Sequence, residues 1–221
     1  MATSVTHKEL AIAFATLNWA AFIGWSLVMY HILYSFATTQ CFILPTHTID
    51  SVRRIAFALE GICWVEVIRI LIGSLPGNPV LGVVLHLIRL VALVIVIPGA
   101  PLSHWTGTAV LLSWAATEIA RYPMYLFPSS GTCRSVRLVT PLATFPIGAF
   151  SEAYGAYVVL TGEGKKSIWV EAALTAVLVV NVGLGPTLAY PALLKKGLPV
   201  LGIGVSRKGG RRHAYSDKKG H

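Results

Sequence analysis

The sequence predicts an all-α polytopic membrane protein, a bundle of six transmembrane helices, and three observations carry that expectation. Of the 221 residues 55% are hydrophobic and only 12% charged, with a mean hydropathy of +0.68. An average soluble domain is about 25% charged, so this chain cannot clothe a water-facing surface. Six stretches are apolar over roughly the 20 residues that a helix needs to cross the hydrocarbon core, and the connections between them are short and carry helix breakers.

The spans read in order as Leu10–Phe36, Ile55–Leu75, Pro79–Pro98, Gly107–Phe127, Arg137–Leu160 and Ser167–Leu194. Ser74-Leu-Pro-Gly-Asn-Pro79 separates the second from the third, and Pro98-Gly-Ala-Pro101 closes the third. Pro128-Ser-Ser-Gly131 ends the fourth and Thr161-Gly-Glu-Gly164 the fifth, while Gly183-Leu-Gly185-Pro186 inside the sixth reads as a kink that a membrane helix tolerates. Surrounded by hydrocarbon, each backbone polar group must bond within its own segment. A pattern without barrel-like alternation therefore folds as helices. Residues 1–196 make one membrane domain and residues 197–221 a basic tail.

The net charge is +9, from 18 Lys+Arg against 9 Asp+Glu. Eight of the 18 follow the last span: Lys195, Lys196, Arg207, Lys208, Arg211, Arg212, Lys218 and Lys219. Six spans put both termini on one side, which also receives Lys8 and Arg134, making ten basic residues against four opposite, Arg53, Arg54, Lys165 and Lys166. The excess of cations places that side in the cytosol, or in the matrix of a mitochondrion. The partner of such a tail is the lipid bilayer, and nucleic acid is excluded because aromatic residues do not interleave with the charges. The terminal Lys218-Lys219-Gly220-His221 matches the dilysine address of the endoplasmic reticulum membrane, with the mitochondrial inner membrane as the alternative. The first apolar run is too long for a cleavable signal peptide and lacks a positive leading region.

Chemistry in such a chain is sought among ionisable groups inside the spans, each of which costs about 3 kcal/mol or more. Glu60, Glu66 and Arg69 fall in the second span, His86 and Arg89 in the third, Glu118 and Arg121 in the fourth, Arg137 and Glu152 in the fifth, and Glu171 in the sixth. Glu66/Arg69, His86/Arg89 and Glu118/Arg121 stand three residues apart, so each pair shares a helix face, and the two Glu/Arg pairs can neutralise themselves. Glu60 and Glu171 lie nearer span ends and can reach water. Glu152 has no cation within a turn, a setting suited to proton transfer. The cysteines, Cys41, Cys63 and Cys133, have no paired spacing, so neither a disulfide framework nor a zinc site follows, and no metal or cofactor is expected. Cys63 and Arg69 form a C-x5-R string, but without the glycines that let backbone approach a phosphate it does not make a phosphatase loop.

The run Trp114-Ala-Ala-Thr-Glu118-Ile-Ala-Arg121-Tyr122-Pro-Met-Tyr125 resembles the W-x-x-T-E-x-x-R-Y-x-x-Y signature of the very-long-chain 3-hydroxyacyl-CoA dehydratases, also called protein-tyrosine-phosphatase-like proteins. Asn18 with Gly24-Trp25, Glu66 through Ile72-Gly73, and Arg137 with Pro146, Gly148 and Glu152 agree with three further strings of that family, so the resemblance covers about residues 17–196. It implies the dehydration step of fatty-acid elongation, in which a (3R)-3-hydroxyacyl-CoA loses water to give the trans-2-enoyl-CoA. The implied catalytic pair is a Tyr and a Glu seven residues apart, both on one helix face. Here the Glu is Glu152 and the Tyr position is Phe145; Leu138 and Ser151 depart from the family's Tyr and Gly. Tyr122 and Tyr125, and less directly Tyr154 or Ser151, are the hydroxyls that can substitute, with Glu66, Arg89, Glu118, Arg121 and Arg137 in support. The implied partners are the fatty-acid elongase components. The loss of the Tyr hydroxyl opens an alternative, an inactive relative serving as a structural subunit of a larger membrane complex, for example a respiratory or ATP synthase assembly of the mitochondrial inner membrane.

Overall fold

The computed structural model describes residues 7–75, 77–100 and 105–203. The terminal dilysine string and the tail cations from Arg207 onward lie outside the described residues. Within them the chain is helical without a strand, in six rods: α1 (His7–Thr39), α2 (Thr46–Leu71), α3 (Pro79–Gly99), α4 (Thr106–Leu126), α5 (Gly131–Thr161) and α6 (Ile168–Leu201). Three of them, α1, α3 and α6, are long and apolar enough to cross a membrane by length and composition alone. In α2, α4 and α5 charged and polar residues dilute the apolar runs.

Local chemistry sets the helix starts. Asn78 caps α3 by accepting from the amides of Val80 (3.0 Å) and Leu81 (3.2 Å), with Pro79 in the first turn where its missing N–H costs nothing. Ser130 and Ser167 cap α5 and α6 by accepting from Cys133 and Val170. The second helix begins at Thr46, upstream of the expected Ile55, because the charged turn around Asp50, Arg53 and Arg54 folds onto the bundle as helix. It stops at Leu71, before Gly73 takes a φ of 75°, a left-handed value that suits glycine.

The rods pack in a ring, α1 on α2, α2 on α3, α3 on α6, α6 on α5, α5 on α4 and α4 back on α1, with α2 touching α4 across the middle. The α4–α5 contact is the closest, and small residues make it so. A Cβ at Gly148 would come within 2.6 Å of the Ser113 hydroxyl, and one at Gly155 within 3.3 Å of the Thr106 hydroxyl, both on α4. Trp19 meets Phe127 edge-on at 6.1 Å, and the Arg69 guanidinium lies 3.6 Å over the Phe14 ring. These contacts gather the start of α1 and the ends of α2 and α4 at one end of the bundle. Gly197 against Leu138 and Leu142 brings the end of α6 to the start of α5.

Two prolines leave carbonyls that long-range donors satisfy. The chain turns through i→i+5 geometry at Ala92–Val96, where the Ile97 amide bonds to the Ala92 carbonyl and Pro98 has no amide to offer Leu93. Arg53 fills that gap, donating from Nη1 to the Leu93 carbonyl at 3.0 Å. In α5 Pro146 cannot donate to the Leu142 carbonyl, and the Tyr190 hydroxyl of α6 does so at 3.1 Å. Tyr190→Phe is therefore expected to destabilise the bundle by about 1 kcal/mol, the net worth of one hydrogen bond to a half-buried acceptor. Thermal unfolding in detergent, beside Tyr30→Phe at an exposed position, measures this; equal midpoints for the two variants would show that the bond contributes nothing.

Candidate active site

The charges of α2, α3 and α4 converge on one buried network. Arg89 donates to the Glu118 carboxylate at 2.6 Å and lies 3.7 Å from Glu60, whose other oxygen is hydrogen-bonded to His86 Nδ1. Glu118 also meets Arg121 at 2.7 Å, and Arg121 reaches Glu66 on α2 at 3.4 Å. Glu60, Glu66, His86, Arg89 and Glu118 are all buried. The expected Glu118/Arg121 pair forms, whereas the Glu66/Arg69 pair does not: Glu66 turns to Arg121 while Arg69 stacks on Phe14. Glu60 is not at a water-accessible end. With α2 starting at Thr46 it sits mid-helix, 0% exposed, facing α3. Glu171 is exposed in the first turn of Ile168–Leu178, as its position near a span end suggests.

Glu152 stands apart from these ion pairs and is held by two neutral donors. The Trp114 indole N–H donates to Oε1 at 2.8 Å and the Asn181 amide to Oε2 at 2.9 Å, so both carboxylate oxygens are fixed in direction. Trp114 is also the link to the network, since the Arg89 guanidinium lies 5.0 Å from its ring centre. Asn181 belongs to an i→i+5 stretch, Val179–Ala189, that contains Pro186. Such widened turns recur at functional sites because they redirect a side chain without ending the helix.

Phe145 lies on the same face of α5, with its ring stacked on Tyr190 at 6.1 Å and 9° and its tip toward Gly185. The Tyr122 hydroxyl is 3.0 Å from Arg121 and 3.6 Å from Cys63, on the α2 side. Tyr125 packs against Tyr122 and under Arg137, whose guanidinium is 5.4 Å from its ring centre. Tyr154 joins an outward-facing ladder of rings with Trp105, Phe150 and Tyr157, and Ser151 donates back to the Ile147 carbonyl. Beside Tyr125 a cleft of about 270 Å³ opens between α1, α2 and α4, lined by Phe14, Asn18, Glu66, Arg69 and Leu75.

Residues that sequence reasoning passed over are Asn181, the indole of Trp114 as a donor, and Tyr190. Asn181 carried a signal, because an amide inside an apolar span needs a partner there. Glu60, Cys63 and His86, far apart in sequence, come together between α2 and α3, with one ligand-type atom from each lying within 4.8 Å of the others.

The apolar helices and their buried, paired charges define a helical membrane protein with an internal ionisable site. The family model for the protein tyrosine phosphatase-like protein, PTPLA, matches residues 61–196, and the chain belongs to that family, the very-long-chain 3-hydroxyacyl-CoA dehydratases. The matched region takes in the network residues from Cys63 onward together with Phe145 and Glu152, while α1 and Glu60 precede it. No curated protein and no solved structure matches the chain.

Proposed function

We propose that the chain is a dehydratase of 3-hydroxyacyl-CoA thioesters in which Glu152 is the proton-handling group. The observation that carries this is a buried carboxylate outside every ion pair among the described residues, oriented by Trp114 and Asn181. Elimination requires a base for the C2 proton and a proton for the departing C3 hydroxyl, so that the C–O bond breaks as the C2–C3 double bond forms and water leaves. A carboxyl group fixed beside apolar helices is suited to that exchange. The network of Glu66, Arg89, Glu118 and Arg121 holds α2, α3 and α4 in register around it. Arg69 in the cleft and Arg137 beside Tyr125 offer cations to the phosphates of the CoA moiety.

In this reading all six rods span the bilayer, both termini are cytosolic, the membrane is that of the endoplasmic reticulum, and the partners are the other elongation enzymes. Phe145 favours a second reading, because its ring keeps the stack on Tyr190 but carries no hydroxyl. In that case the chain is a retired relative acting as a structural subunit of a larger membrane complex, such as one of the mitochondrial inner membrane. A dehydration assay on purified protein with a long-chain 3-hydroxyacyl-CoA separates the two. The dehydratase reading expects turnover that Glu152→Gln lowers by about 10²–10⁴-fold, the usual contribution of an acid–base group. An inert wild-type protein that folds normally gives the subunit reading instead.

A further inference from the structure

We propose that Glu60, Cys63 and His86 form a binding site for a divalent transition-metal ion of the zinc type, separate from Glu152. Glu60 and Cys63 are three residues apart on α2 and so share a face, and His86 meets them from α3. Their ligand atoms lie within 4.8 Å of one another and all three residues are buried, with Glu60 and Cys63 at 0% exposure. A carboxylate oxygen, a thiolate and an imidazole nitrogen are the ligand set that zinc takes, and three protein ligands leave a fourth position for a small molecule.

Two further observations point to a cation there. Glu60 Oε2 is buried and accepts no hydrogen bond, its nearest cation being Arg89 at 3.7 Å. The surrounding network is also unbalanced, with three carboxylates (Glu60, Glu66, Glu118) against two guanidiniums (Arg89, Arg121). Metal binding would release the thiol proton of Cys63 and displace the hydrogen bond between Glu60 and His86. Three carboxylates and a thiolate then face two guanidiniums and a dication, and the charges cancel. A proton shared by Glu60 and His86 would also cancel them, and is the competing occupant. It leaves the thiol without a role, apart from contacts to Tyr122 at 3.6 Å and Arg121 at 3.5 Å. The site ties α2 to α3 beside the Arg89 network, and its existence does not depend on the dehydratase reading.

The test is metal analysis of the full-length protein purified in detergent from zinc-replete cells, followed by exchange into cobalt(II). The expected result is about one zinc per chain and, with cobalt, the absorption of a tetrahedral centre with a thiolate-to-cobalt charge-transfer band. Cys63→Ser should abolish that band. His86→Gln, which keeps a polar partner for Glu60, should lower metal content while helical circular dichroism is unchanged. Metal-free protein that shows no thiolate band with cobalt overturns the proposal in favour of the proton. Metal retained by the Cys63→Ser/His86→Gln double variant overturns it as well. Neither readout depends on turnover, so failure here is distinct from failure of the assay above.

Discussion

Arg89→Met is expected to lower the stability of the bundle by about 3–5 kcal/mol, the cost of leaving buried carboxylates without their cation. Arg89 is 5% exposed and serves two partners at once, Glu118 at 2.6 Å and Glu60 at 3.7 Å, with the Trp114 ring packed against its guanidinium at 5.0 Å. Methionine retains much of the side-chain length, so the loss is electrostatic rather than a cavity. Removing a charge from hydrocarbon normally stabilises. It does the reverse here, because the carboxylates stay behind in a place water does not reach. Arg121→Met should cost less, since that side chain is 16% exposed and Arg89 still neutralises Glu118. The double variant Arg89→Met/Glu118→Leu should recover part of the loss, because it removes both members of a buried pair. Thermal unfolding in detergent followed by tryptophan fluorescence reads all three. A midpoint for Arg89→Met equal to that of the wild type would mean that the network is not buried as described.

The same network marks where sequence reasoning stops. Hydropathy finds the apolar runs because each must bury or face lipid, but not where each helix starts: α5 begins at Gly131, ahead of the expected Arg137, because Ser130 caps it. The start of α2 escapes too, since the turn around Arg53 is polar and its long-range partner, the Leu93 carbonyl of α3, cannot be read from the sequence. Spacing of three residues shows that Glu66 and Arg69 share a face, but not which helix that face meets. Glu66 finds Arg121 on α4, a partner that depends on the ring order of the rods. The partnership of Pro146 with Tyr190 is hidden in the same way, because a proline announces the missing amide and not the hydroxyl that replaces it. Glu152 was recognisable by its isolation from cations, and its isolation persists in the fold. Its true neighbours, Trp114 and Asn181, are neutral groups that no search for opposite charge would select.

On the proposed dehydration, Phe145→Tyr is expected to raise the rate by about 10²–10⁴-fold over the wild-type protein, because it places a second proton-handling group on the face of α5 that carries Glu152. The position tolerates the change. The Phe145 ring is stacked on Tyr190, and its tip lies beside Gly185, where even a Cβ would stand 3.4 Å from the ring carbon that would bear the hydroxyl. The new oxygen therefore enters space that glycine leaves open, and the stack that orients the ring is retained. Tyr190 does not already supply this hydroxyl, since its own is committed to the Leu142 carbonyl. Nor do Tyr122 and Tyr125, the first turning to Arg121 and Cys63 and the second packing beneath Arg137. If Glu152 is the proton-handling carboxyl proposed above, the gain vanishes in Phe145→Tyr/Glu152→Gln, where the new hydroxyl has no carboxyl to work with. Phe145→Tyr/Gly185→Ala should fall between, with the methyl group crowding the hydroxyl. Unchanged turnover in a well-folded Phe145→Tyr, alongside a wild-type rate that Glu152→Gln abolishes, would locate the second proton group elsewhere in the bundle. A chain inert in both forms, yet folded as the wild type is, would overturn the proposed dehydration, and the subunit reading would then account for a bundle that keeps its buried network without turnover.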